Sequence, residues 1–154
     1  RYGFYFPQEI SGTVERAVVE VLLRDFELEE VQRRLEALRR AAEAVQAAFP
    51  GGRVEVRDRK EYPNMRRFLE GHPEVVGLLE QAIRDTGLEP ERRIIRGGTD
   101  GARLSELGVP TPNVFTGGHN YHSRLEWAAV PAMVRAVHTI VNLCGLWAGA
   151  GRPA

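Results

Sequence analysis

The stretch Ile94-Ile95-Arg96-Gly97-Gly98-Thr99-Asp100-Gly101 decides the fold class. A branched apolar pair running into a glycine-rich turn is the pattern of a short buried strand ending at a loop. The pattern returns at Asn113-Val114-Phe115, followed by Thr116-Gly117-Gly118-His119-Asn120. Helical signatures lie between and around these strands. His72-Pro73 opens a helix carrying Val75, Val76, Leu79 and Ile83, which Gly87 ends. A last helix is expected from Pro131 to about Trp147, with Met133, Val137, Ile140, Val141 and Cys144 on its inward side. Helix and strand alternate, so residues 63–154 read as an α/β section. In an open α/β sheet ligands bind beyond the carboxyl ends of the strands, which makes both glycine turns candidate sites.

Upstream the grammar differs. Phe4 to Ile10 and the β-branched run Val18 to Leu23 read as two strands of a hairpin, with Ser11-Gly12 as the turn signal. From Glu27 the apolar positions Leu28, Val31, Leu35, Leu38, Ala42, Val45 and Phe49 step by threes and fours along one helix face. A coiled-coil seam is the competing reading, but Pro50-Gly51-Gly52 stops the helix before enough heptads accumulate, which favours packing on a sheet. Val54 and Val56 alternate with Arg53, Glu55 and Arg57 as in a half-exposed strand. Residues 1–62 thus read as an α+β section of strand, strand, helix and strand. The expected class is α/β overall, with two textures meeting near Glu61 to Arg67.

The 154 residues carry 21 Lys+Arg and 21 Asp+Glu, so no basic excess argues for nucleic acid or an anionic lipid surface. No apolar run approaches the roughly 18 residues of a membrane helix, so no membrane span is expected. Cys144 is the single cysteine, which excludes an internal disulfide and fits a reducing cytoplasm. The chain opens Arg1-Tyr2-Gly3 without methionine, so it reads as a piece of a longer protein.

Neither glycine turn is a known phosphate cradle: the first lacks the third glycine of a dinucleotide fingerprint and the Gly-Lys-Ser/Thr of a P-loop. Its glycines admit close approach of a substrate to backbone, with Asp100 orienting the loop; equally they make a tight turn with an Asx cap. His119, His122 and Glu126 fall within eight residues, as a ligand histidine and a carboxylate supporting it would. Zinc needs three or four ligands. The chain has four histidines, of which His72 beside a proline and His138 among apolar neighbours read as structural. Arg24 at a strand end and Arg96 at the loop are placed to clasp a carboxylate, or to sit in ordinary surface ion pairs. Asn64 reads equally as a helix cap.

Several ordered motifs carry a resemblance: Gly3-Phe4-Tyr5, Gly12-Thr13-Val14-Glu15-Arg16, Arg24-Asp25-Phe26, Asn64-Met65-Arg66, Arg96 to Ala102, Gly108 to Asn113, Phe115 to Gly118 and Asn120-Tyr121-His122. Together they resemble the C-terminal part of the peptidase T family of tripeptide aminopeptidases, within the two-zinc superfamily of metallopeptidases and aminoacylases. The resemblance implies that residues 1–62 are the later part of a lid, or dimerisation-type, domain and that 63–154 are the C-terminal segment of the catalytic domain. It implies His122 as a metal ligand, and Arg24, Arg96, Gly117, Gly118 and Asn64 as substrate-binding residues, with Asp100 and Glu126 supporting. Two zinc ions with a bridging carboxylate and an activated water would cleave the N-terminal residue from a tripeptide. The other ligands and the general-base glutamate would lie upstream, leaving this chain inactive alone. The partners implied are the tripeptide, the remainder of the parent enzyme and a second copy through the lid. The competing readings are a non-catalytic interaction module and a relative acting on other peptides or acylated amino acids.

Overall fold

A computed structural model describes residues 3–95 and 97–150 of the chain, which divides into two compact units, Arg1–Asn64 and Met65–Ala154. In the first, β1 (Phe4–Gly12) and β2 (Ala17–Arg24) form an antiparallel hairpin followed by helix α1 (Leu28–Ala48). The register runs from Phe4 opposite Arg24 to Gly12 opposite Ala17 and slips between Pro7 and Glu9. Gln8 is the extra residue of this bulge, and a proline, having no N–H to give a ladder, is tolerated beside one. The turn closes where the Thr13 N–H donates to the Arg16 carbonyl at 2.7 Å.

Helix α1 lies against β2, so its stripe packs on a sheet. Burial is deepest mid-helix at Leu35, while Leu28, Val45 and Phe49 toward the ends are exposed. A polar tie fixes the start of the helix. The Asp25 carboxylate accepts from the Phe26 N–H at 2.7 Å and from Arg34 Nε at 2.9 Å, and the Arg34 guanidinium lies 5.2 Å above the Tyr5 ring. Burial pushes the Asp25 carboxyl up, but the Arg34 and Phe26 hydrogen bonds and the Arg34 charge outweigh it, and the pKa falls below its ordinary value. A depressed carboxylate pKa stabilises the fold above the unfolded value of about 3.9, and that contribution is lost as pH falls through the folded pKa. Asp25→Asn should therefore lower the melting temperature at pH 7. Thermal melts from pH 7 to 2 should show wild type and variant converging at the acid end; a constant gap would refute the linkage.

The expected strand at Val54–Val56 does not form. The Val54 N–H donates to Gln46 Oε1 at 2.8 Å, and Gln46 Nε2 donates to the Gly52 carbonyl at 2.8 Å. A side chain at the end of α1 thus supplies what a neighbouring strand would, and no strand lies alongside among the described residues.

The second unit contains α2 (Arg66–Leu69), α3 (Pro73–Arg84), α4 (Asp100–Glu106), β3 (Gly118–His119), β4 (Trp127–Ala128) and α5 (Val130–Gly149). Its centre is the packing of α3 on α5, where Leu79, Ala82 and Thr139 are buried and Asn142 Nδ2 donates to the Ala82 carbonyl at 3.4 Å. Arg135 donates to the Thr86 carbonyl just past α3. Neither Ile94-Ile95 nor Asn113-Val114-Phe115 is a strand, because neither has a pairing neighbour among the described residues. Mixed helix and small strands are compatible with the α/β class, and the two sheets among the described residues are antiparallel pairs. The first glycine turn is also more ordered than a loop: Asp100 begins α4, and Gly101 is buried against the Thr111 carbonyl.

The face of the last helix expected to lie inward is uncovered in this chain. Met133, Val137, Ile140, Val141 and Cys144 are exposed, while Thr139 is buried and Asn142 and Leu143 are half-buried. By length and composition α5 could cross a membrane, which corrects the expectation that nothing in the chain could. Arg135, His138 and Asn142 interrupt its apolar run. The accessible surface is 12223 Å². Two separate globules of these sizes would expose roughly 9,400 Å². Among the described residues only Leu35, Leu79, Ala82 and Ala102 form a buried hydrophobic core, while many large apolar side chains are exposed.

Candidate functional site

The second glycine turn builds a closed loop between Thr116 and Ala129. Gly117 sits at φ 82°, and a Cβ there would come within 2.8 Å of Ala132 Cβ and 2.9 Å of the Met133 nitrogen. Only glycine allows both that backbone and that approach to α5. The Ala129 N–H donates to the Gly117 carbonyl at 2.8 Å, closing the base of the loop. Gly118 lies under the Tyr121 ring, whose hydroxyl shares a 2.6 Å hydrogen bond with Thr116 Oγ1. His119 and Trp127 face each other across the β3–β4 pair and stack with centroids 4.2 Å apart and planes 16° from parallel.

His122 is at the tip. Both Asn120 (φ 54°) and His122 (φ 65°) take left-handed backbone, unusual for residues with a Cβ. Three bonds hold them there: Asn120 Nδ2 to the Leu125 carbonyl at 3.3 Å, the Ser123 N–H to the Asn120 carbonyl at 3.1 Å, and the His122 N–H to Glu126 Oε2 at 2.9 Å. Glu126 thus acts on the backbone of His122, whereas a carboxylate supporting a ligand ring would meet the imidazole. The ring is exposed and has no hydrogen bond among the described residues, which leaves both nitrogens available. Among the described residues no three His, Cys, Asp or Glu side chains come together.

In the first unit the segments 24–26 and 61–64 run side by side. Arg24 ends β2, and its Nη2 donates to Glu61 Oε2 at 3.2 Å and to the Tyr62 hydroxyl; its Cζ lies 4.6 Å over the Tyr62 ring. Asn64 Nδ2 donates to the Phe26 carbonyl at 3.3 Å, tying the two segments together and not capping a helix. The structure therefore brings Arg24 and Asn64 together in one unit, and Gly117, Gly118, His122 and Glu126 in the other.

Arg96 lies outside the described residues. Asp100 is exposed at the first turn of α4, where its charge complements the helix N-terminus. Beside it, Thr99 Oγ1 is buried without a hydrogen-bond partner among the described residues. Sequence reasoning passed over Glu61, Tyr62, Tyr121 and Trp127; the aromatic before Pro63 and those flanking His122 were the available signal. It also missed an apolar cleft of about 430 Å³ lined by Leu79, Pro110, Pro112, Ile140, Leu143 and Trp147.

No family model matches the chain. Among curated proteins it is 42% identical over 145 residues to peptidase T of Brevibacillus brevis, 42% over 141 residues to peptidase T of Bacillus subtilis, and 41% over 152 residues to peptidase T of Pectobacterium atrosepticum. These alignments take in 94%, 92% and 98% of the chain but 35%, 34% and 37% of the relatives. The resemblance read from the motifs is borne out along nearly the whole chain, which spans about a third of the length of the curated relatives it matches.

Proposed function

We propose that the chain is the C-terminal portion of a cytoplasmic, metal-dependent tripeptide aminopeptidase. Residues 1–62 are then part of its lid, and residues 63–154 close its catalytic domain. The observation that carries this reading is the similarity to peptidase T over 94% of the chain at 42% identity. The local geometry agrees with it. A tightly bonded loop presents an unencumbered imidazole at His122, the one ligand this chain would give to a zinc site whose other ligands lie in the remainder of the parent. Arg24 in the lid section would bind the C-terminal carboxylate of the peptide and so measure its length. Arg96, with Gly117 and Gly118, would line the substrate edge, and Asn64 would hold the Arg24 segment in register.

The surface excess supports the same reading physically. An α5 with Met133, Val137, Ile140 and Val141 exposed, and two strand-like segments without neighbours, are what a cut through a larger domain leaves. The same surface favours the second reading, an interaction module that docks through these faces. The two separate on activity and metal: the full-length parent should hydrolyse tripeptides ahead of dipeptides and acylated amino acids, and the 154-residue chain alone should show neither turnover nor stoichiometric zinc. Turnover by the chain alone, or a parent without tripeptidase activity, would overturn the proposal. Co-expression with the remaining two-thirds of the parent should yield a co-purifying pair, and charged substitutions at Val137 and Val141 should abolish it.

A further inference from the structure

If Arg24 is the clamp for a peptide carboxylate, as proposed above, that clamp is already closed on a carboxylate of this chain. Nη2 of Arg24 donates to Glu61 Oε2 at 3.2 Å and to the Tyr62 hydroxyl, which engages both of its hydrogens. A guanidinium offers two edges for two-pronged binding, Nη1 with Nη2 and Nε with Nη2, and both need Nη2. While Glu61 and Tyr62 hold it, an arriving carboxylate finds only single hydrogen bonds. The pair is shallow: the Arg24 side chain is 22% exposed and that of Glu61 42%. Water therefore reaches it, and exchanging one carboxylate for another there costs little. Tyr62 differs from Glu61 in also placing its ring under the guanidinium, its centroid 4.6 Å from Cζ, a contact that survives the exchange.

We infer that Glu61 is a stand-in for the substrate carboxylate: a peptide's C-terminal carboxylate displaces it from Nη2, while Tyr62 stays as the platform that orients the guanidinium. Glu61 keeps Arg24 ordered before substrate arrives. Its displaced charge then opposes the bound carboxylate and limits affinity.

The test is steady-state kinetics of the full-length parent with trialanine and trialanine amide. Glu61→Gln should lower the KM for trialanine about two- to fivefold, the scale of an exposed ion pair. The amide's KM should not follow. Tyr62→Ala should raise the trialanine KM and leave the amide's in place, and Tyr62→Phe, which keeps the ring, should fall between. Equal shifts for acid and amide in Glu61→Gln, or no shift in either, overturn the displacement. Arg24→Ala separates the two levels. If the preference for acid over amide survives it, the clamp reading itself falls; if the preference flattens while Glu61→Gln moves nothing, only the displacement falls.

Discussion

His122→Ala in the full-length parent should lower tripeptide turnover by about a hundredfold or more, since even the outer partners of metal ligands are worth 10- to 100-fold. The melting temperature should hardly move. The ring touches no hydrogen-bond partner among the described residues, so its removal opens no cavity and orphans no group. The backbone makes a sharper comparison possible. At φ 65° any residue with a Cβ is strained, and the Glu126 carboxylate holds the amide in that state. His122→Gly should be as inactive as His122→Ala, yet more stable by about 1 kcal/mol, the left-handed penalty relieved. Near wild-type turnover in either variant would remove His122 from the site. Equal stability of the two would mean that the loop does not hold residue 122 left-handed in solution.

Gly117→Ala should give the largest loss of stability. The new methyl must occupy φ 82° and approach Ala132 Cβ at 2.8 Å and the Met133 nitrogen at 2.9 Å, so neither the loop nor α5 can keep its position. The left-handed term costs roughly 1–2 kcal/mol and overpacking roughly 1–3 kcal/mol, which is a large part of an ordinary domain's stability. Urea unfolding of the intact parent should show the drop. Activity should fall with it, because the Gly117 carbonyl accepts the bond that closes the His122 loop. Gly97→Ala is the control: nothing lies within 4 Å of its Cβ position, and its φ is not in the left-handed range. An unchanged midpoint for Gly117→Ala would refute the packing described here.

Elements whose signal is local were legible. The hairpin, α1, α3 and α5 each follow from periodicity and a nearby stop, as with Pro50-Gly51-Gly52 after α1 and Gly87 after α3. Segments that need a distant partner were not. Ile94-Ile95 and Asn113-Val114-Phe115 have the composition of strands, but a strand exists only where another backbone supplies its hydrogen bonds. Val54 failed for a related reason, a glutamine side chain having taken the ladder's place. The apolar face of α5 is uncovered here, because hydrophobicity says which residues want burial but not what covers them, and the face that α3 covers carries Thr139 and Asn142.

The candidate site divides the same way. By itself the sequence determined which residue types were present and where: a histidine with a carboxylate four positions on, two glycine turns, an arginine at a strand end, and motifs specific enough to point to peptidase T. Only the tertiary structure decided what those residues do to one another. It put Glu126 on the His122 backbone, and it seated Arg24 on Glu61 and Tyr62, which lie 37 and 38 positions away. The reason is physical. Propensity and spacing act over a few residues, whereas a hydrogen-bond partner or a left-handed backbone is settled by whatever folding brings within 3 Å.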